Sequence, residues 1–252
     1  VQGSFIASTA SEIQLGSGQF SATAPATSTL LNVQPGALFL NALAQQSGIT
    51  NQATLAAGQN LQLVAGNISS SGSLLAPSGA VQVEARSGNA TIQAVTAQTA
   101  DLRASHDLLL SGSQLTTTGN LNLLAGNQAS LVDSPTTPLN LNAGGSLTIQ
   151  ANQGITIQAQ SNPASLLQST GNLSLISGNG AIVANSRFLA GGSFGISAAG
   201  DLTLPGYTGS SLSFSTAGNL TVSGAINTAS TTGNGGTVSL NAGRNLTING
   251  AI

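Results

Sequence analysis

Apolar and polar residues alternate along this chain in short bursts. Leu147 and Ile149, Ile155 and Ile157, Leu173 and Leu175, and Val238 and Leu240 are each separated by one polar residue. Alternation of this kind puts one row of side chains on each side of an extended backbone, so it predicts short, half-buried β-strands. Gly, Asn and Ser-Gly pairs separate the bursts. They suit sharp corners, where glycine is expected to supply positive φ. Helical spacing is missing, as are Lys and Met, so no helix is predicted.

The bursts recur in nearly the same words. AGGSLTIQANQGITIQAQ spans residues 143–160, TGNLSLISGNGAIVAN spans 170–185, AGNLTVSGAI spans 217–226, and AGRNLTINGAI follows. The first large apolar residue after each turn marks the repeat. Leu121, Leu147, Leu173, Phe194, Leu220 and Leu246 follow one another in steps of 26, 26, 21, 26 and 26. Upstream, Leu61, Val83 and Leu102 lead to Leu121 in steps of 22, 19 and 19. Such periods belong to solenoids. A strand of three to five residues is not stable alone, but it can pair with the same strand of the next coil.

The expected fold is therefore all-β, a right-handed parallel β-helix with coils of about 20–26 residues, its hand following that of parallel crossovers. A sandwich or barrel is the alternative, but neither demands such regular self-similarity. At ~4.8 Å per coil, roughly 11–12 coils would make a rod ~50–55 Å long. Leu121, Leu147, Leu173, Leu220 and Leu246 are expected to stack in an interior column. Asn120, Asn172, Asn219 and Asn245, each one residue before such a leucine, are expected to form a ladder of stacked amides.

Composition narrows the functional classes. The 252 residues are 40% hydrophobic but only 4% charged and 3% aromatic, so most of the surface is Ser, Thr, Asn, Gln and Gly. That much hydrophobicity argues against disorder, and no apolar run is long enough to span a bilayer as a helix. Four Arg, no Lys and a net charge of −2 leave no cationic cluster for phosphate, so nucleic acid is not an expected partner. The absence of Cys excludes disulfides and thiolate metal sites. The chain opens on VQGSF and closes on Ile252 in mid-pattern, and it reads as a segment of something longer.

Two stretches resemble the filamentous-haemagglutinin-type exoproteins of two-partner secretion, particularly the long cyanobacterial forms. The phrases AGNLTV, AGRNLTINGAI and AGGSLTIQA are similar to that family's β-helical shaft. GSFIASTASEI (3–13), FSATAP (20–25), LNVQPGALFLN (31–41) and LAAGQNLQLVAGNISSSGSLLAPSGAVQVEA (55–85) resemble the latter half of its secretion domain. The first half, with its N-P-N-G-type turn, has no counterpart here. The resemblance implies a division into residues 1–86, secretion-domain-like with irregular insertions, and 87–252, a repetitive shaft. It also implies export through an outer-membrane transporter of the two-partner type and a place at the surface of a Gram-negative-type bacterium. The role implied is structural or adhesive, with the same chain continuing or further copies joining head to tail.

The one charged neighbourhood is VEARSGN (83–89) with ADLRASHDLLL (100–110). If Val83 stacks on Leu102, then Glu84, Arg86, Asp101 and Arg103 share one outer face. Two readings follow: an ion-pair ladder between coils, or the carboxylates of a β-helical enzyme acting on extracellular polysaccharide. His106 beside Asp107 lacks a nucleophile turn such as G-x-S-x-G, and Asp133 and Asp201 stand alone, so no catalytic, metal or cofactor site is expected. GSGQFS and GNGGTV open no helix and read as corners rather than phosphate cradles. Five N-x-S/T sequons begin at Asn67, Asn89, Asn172, Asn219 and Asn245. TTT (116–118) and STT (230–232) raise a third possibility, a passive threonine face for ice or another surface. Phe188 and Tyr207, in irregular stretches, are expected on loops that carry a binding surface.

Overall fold

A computed structural model of the chain describes residues 1–15, 18–21, 35–39, 47–229 and 235–252. The described residues form strands and connecting turns without helix, and most strands join one 23-stranded sheet. Parallel pairing dominates. Leu121–Ala125 lies beside Leu147–Ala151, and that strand beside Leu173–Ser177. Gln128–Val132 pairs with Gly154–Gln158, and Asn140–Ala143 with Leu166–Ser169. Each strand thus pairs with the third one after it. The chain runs through three strands, here called faces A, B and C, before lying down on itself. The arrangement is β-helix-like.

Alternation explains why the strands settle in this register. On face A, Leu63, Val83, Leu102, Leu123, Ile149, Leu175, Ile196 and Phe214 are consecutive partners, and all are buried. Face B stacks Ile155, Ile182, Leu202 and Leu220. Face C stacks Val95, Leu115, Leu141, Leu167 and Phe188. Slipping any strand by one residue would turn its apolar row outward and its polar row inward. Successive face A strands begin at Phe5, Leu61, Val81, Ala100, Leu121, Leu147, Leu173, Phe194, Leu212 and Val238. At ~4.8 Å per step, these ten strands span ~43 Å, somewhat less than the repeat count implies.

The columns differ from expectation in membership. Leu121, Leu147 and Leu173 do stack, but the column continues through Phe194 to Leu212 and Val238. Leu220 and Leu246 belong to face B, above and below one another and next to Leu202. The step from Phe194 to Leu220 therefore crosses from one face to another. Likewise Val83 and Leu102 stack on Leu63 rather than on Leu61. From Leu61 onward the true face A steps are 20, 19, 21, 26, 26, 21, 18 and 26.

The N-terminal part carries an antiparallel insertion, and two further departures concern the corners and the aromatic residues. Glu12–Leu15 pairs antiparallel with Gly18–Ser21 and with Pro35–Phe39. This small sheet lies between Phe5–Ser8 and Gly48–Asn51, both of which join the parallel stack. Pairing is continuous across residues 86–87, since Asn67–Ala85 runs beside Ala90–Ala104 through all three faces. At the corners, positive φ occurs only at Gly112, Gly154 and Gly206 among the described residues. Gly126 shows why the other corners keep glycine: a Cβ there would run into the Ser105 carbonyl of the preceding coil. Close approach of backbones, rather than backbone conformation, excludes a side chain at that position.

Phe188 and Tyr207 are buried inside, not displayed on loops. Phe194 sits between them, with ring centroids 5.0 Å from Phe188 and 5.2 Å from Tyr207, and meets Phe214 edge-on at 5.3 Å. Such tilted and T-shaped contacts add to the apolar burial. The two rings serve the core and are not displayed on loops, although one side of each borders a cavity at this corner.

Replacement of Leu175 by Ala, in the middle of the face A column, is expected to cost ~2–5 kcal/mol in denaturant unfolding. Leu109→Ala, on the outward row of face B and 36% exposed, is expected to cost less than ~0.5 kcal/mol. Equal costs at the two sites would contradict the inside–outside assignment.

Candidate functional site

Two features of the exterior carry chemistry: the corner ladder and the charged patch. The ladder begins with a geometric problem. At several corners the residue at the start of a strand turns its backbone N–H toward the previous coil, where no strand carbonyl faces it, and a backbone donor needs an acceptor. A side chain from the previous coil solves this. Asn120 Oδ1 accepts from Ser146 N at 2.9 Å, Ser146 Oγ from Asn172 N at 3.3 Å, and Asn172 Oδ1 from Ser193 N at 2.9 Å. At the face B corner, Asn67 serves Asn89, Asn89 serves Asp107, and Asp107 serves Gln128, at 2.9, 3.0 and 3.1 Å. Asp201 serves Asn219 at 2.8 Å, and Asn219 serves Asn245 at 3.3 Å.

The ladder is thus side chain to backbone, it always points from one coil to the next, and it uses Asn, Asp or Ser interchangeably. The four asparagines named from the sequence occupy two corners. Asn120 and Asn172 precede face A strands and are separated by Ser146. Asn219 and Asn245 precede face B strands, and among these four only they form an amide–amide bond, Asn245 Nδ2 to Asn219 Oδ1 at 3.0 Å. Four of the five sequon asparagines, Asn67, Asn89, Asn172 and Asn219, have their side-chain oxygens committed to the next coil.

The charged patch lies on the outer side of face A. Gln82 pairs with Asp101 and Glu84 with Arg103, in the register inferred from Val83 over Leu102. The ion pairs, however, run along each strand rather than between coils. Arg86 clasps Glu84 through Nε at 3.1 Å and Nη2 at 3.2 Å. Arg103 clasps Asp101 through Nε at 2.8 Å and Nη2 at 2.7 Å. Residues two apart on a strand point the same way, and the planar guanidinium matches a carboxylate in two bonds. Hydrogen bonding to Asp101 raises the Arg103 pKa above its usual value, Asp101's charge adds to this, and Glu84 on the adjacent coil contributes less. With Arg103 56% exposed, the pairs are worth at most ~1 kcal/mol each.

This patch offers little to acid–base catalysis, because each carboxylate is neutralised by its own arginine. His106 and Asp107 do not form a dyad; Asp107 Oδ1 accepts instead from Asn127 Nδ2 at 2.7 Å and from Gln128 N. Among the described residues no group of three His, Asp or Glu is placed to hold a metal ion. Asp133 fixes two neighbouring loops, accepting from Ser165 Oγ at 2.7 Å, Asn162 N at 2.8 Å and Ser161 N at 3.2 Å.

The threonine readings also change. Thr116 points outward on face C between Thr96 and Asn142, while Thr117 is buried. Residues 230–232, like 16–17, 22–34 and 233–234, lie outside the described residues. A longer hydroxyl row, not visible as a motif, runs out from face B through Thr156, Val183, Thr203, Thr221 and Thr247. Leu109 and Val183 interrupt it, and β-branched residues suit any exposed strand. Compared with protein-family models, curated proteins and solved structures, the chain matches none.

Two corner carboxylates give a pH dependence. Partial burial would raise the Asp133 pKa, but the bonds from Ser165, Asn162 and Ser161 outweigh it and hold the group below the usual range. The backbone and side-chain amides of Asn219 lower the Asp201 pKa, with Arg244 assisting. Folded values below an unfolded value of ~3.9 mean that this stabilisation is complete above about pH 5 and is lost as pH falls through the folded values. The thermal midpoint is therefore expected to be flat near neutrality and to fall below about pH 4. In Asp201→Asn, whose amide oxygen can still accept, the fall should be shallower. An unchanged slope would contradict the role given to Asp201.

Proposed function

We propose that this chain is a shaft segment of a secreted surface fibre, folded as a right-handed parallel β-helix and serving adhesion, matrix formation or surface coating. The motif resemblance to the filamentous-haemagglutinin type supports export through an outer-membrane transporter of the two-partner type. On that reading the protein belongs at the surface of a Gram-negative-type bacterium. Progressive folding suits such export, because each coil needs only its neighbour as template. The right-handed crossover rule supports the hand.

The observation that carries the proposal is the register of the coils. On face A one buried apolar column runs through eight successive parallel strands, from Leu63 to Phe214. A stack in which each coil rests only on its neighbours extends along one axis, as a shaft requires. A neutral, polar exterior with paired charges fits a passive rod. The rival, an enzyme acting on extracellular polysaccharide, lacks support from the face A patch, where no two carboxylates are free of arginine.

The shaft reading is tested by small-angle scattering of the chain. The profile is expected to be that of an elongated particle with a constant cross-section one coil wide. A compact particle of nearly equal dimensions would contradict it.

A further inference from the structure

The face C ladder is interrupted after Phe188–Ala190. Phe188–Ala190 pairs with Leu166–Ser169 on one side, and Tyr207–Thr208 pairs with Ile226–Asn227 beyond it. Among the described residues no pairing joins Phe188–Ala190 to Tyr207–Thr208, which instead forms a separate two-stranded sheet with Ile226–Asn227. The coils shorten at the same place. The face A step is 26 from Leu147 to Leu173, then 21 to Phe194 and 18 to Leu212. Gly206, with φ +148°, sits at the break. A cavity of about 590 Å³ opens there, within the size range of small-ligand sites.

Its lining combines three kinds of group. Leu189 is 48% exposed, although its column partners Gln168 and Asn142 are polar. With Leu166 and Pro205 it gives the cavity an apolar surface. Gln160 and Thr208 add neutral hydrogen-bonding groups. Arg187 adds a cation that forms no ion pair among the described residues. Its Nη1 donates to the Pro163 carbonyl at 2.7 Å, which tethers one end of the guanidinium while leaving its other donors for a ligand. The cavity lining contains no carboxylate.

We infer that this break in face C binds a segment of acidic polysaccharide, with a sugar carboxylate on Arg187 and the ring's apolar side against Leu189 and Pro205. The charge in the lining selects an anion, and the paired donors of arginine suit a carboxylate. Apolar and amide groups side by side suit a sugar ring, which carries C–H and hydroxyl surfaces together. An extended peptide added as a strand fits less well, because the strands flanking the break have only three and two residues, too few for main-chain pairing to hold it. The site is confined to neighbouring coils and does not depend on whether rods join end to end.

The test is titration calorimetry of the chain at low salt with an oligogalacturonate. A neutral oligoxylan, a sulfated oligosaccharide and a polyglutamate peptide serve as comparisons. The oligogalacturonate is expected to bind weakly and to weaken with salt. Arg187→Gln is expected to reduce affinity about tenfold or more, the loss of a charged hydrogen bond. Leu189→Ser, at an exposed position that leaves the core intact, should also weaken binding, while Arg244→Gln should not. The neutral sugar should not bind. Failure of the oligogalacturonate to bind, undiminished binding in Arg187→Gln or Leu189→Ser, or equal or tighter binding of the sulfated sugar or polyglutamate would overturn the proposal.

Discussion

Every coil of this protein has one principal place to satisfy its backbone and its apolar side chains: the coil next to it. Strands of two to five residues cannot hold a sheet on their own, yet in parallel stacks each inward residue rests on its counterpart above and below. The buried column from Leu63 to Phe214 is the clearest case. The corners obey the same constraint. Where the ladder of strand hydrogen bonds stops, an Asn, Asp or Ser from the previous coil receives the first N–H of the next strand. Where two corners approach too closely for any side chain, glycine remains.

Away from the corners this constraint asks little of the exterior, and the outer rows of the strands are accordingly plain. Rows of Thr, Ser, Gln and Asn run along it. The charges that interrupt face A are tied to one another within a strand. Chemistry that reaches outward therefore sits where stacking is imperfect. The face C break between Phe188–Ala190 and Tyr207–Thr208 is such a place. The Tyr207 hydroxyl, buried and without a hydrogen-bond partner among the described residues, marks the same irregularity from inside.

Much of this was legible in the residue pattern. Alternation at Leu147-Ile149 and Leu173-Leu175 specified both strand and inner face, and the constant step between these repeats specified parallel stacking there. The pairing of Val83 with Leu102 was also readable, because it brings Glu84 over Arg103. Face identity was not. The phrase Gly-Asn-Leu precedes strands on face A at Leu173 and on face B at Leu220, since at both corners the asparagine oxygen accepts the N–H of the next coil. A motif that answers a need common to all corners cannot tell one corner from another. The two shorter coils after Leu173 then shifted the count, until the step from Phe194 to Leu220 landed on the wrong face. The burial of Phe188 and Tyr207 was hidden for a related reason: Pro205 and Gly206 look like loop residues but adjust a corner around four packed rings.

Stacking in register can be measured directly, because the chain has no cysteine of its own. Asn122, Thr148 and Ser174 stand in one outward row of face A on successive coils. With cysteines at 122 and 148, a short bifunctional thiol reagent matched to the ~4.8 Å strand spacing should bridge the pair. With cysteines at 122 and 174, two coils apart, it should not. Equal bridging of both pairs, or bridging of the distant pair alone, would contradict the stacked-coil structure.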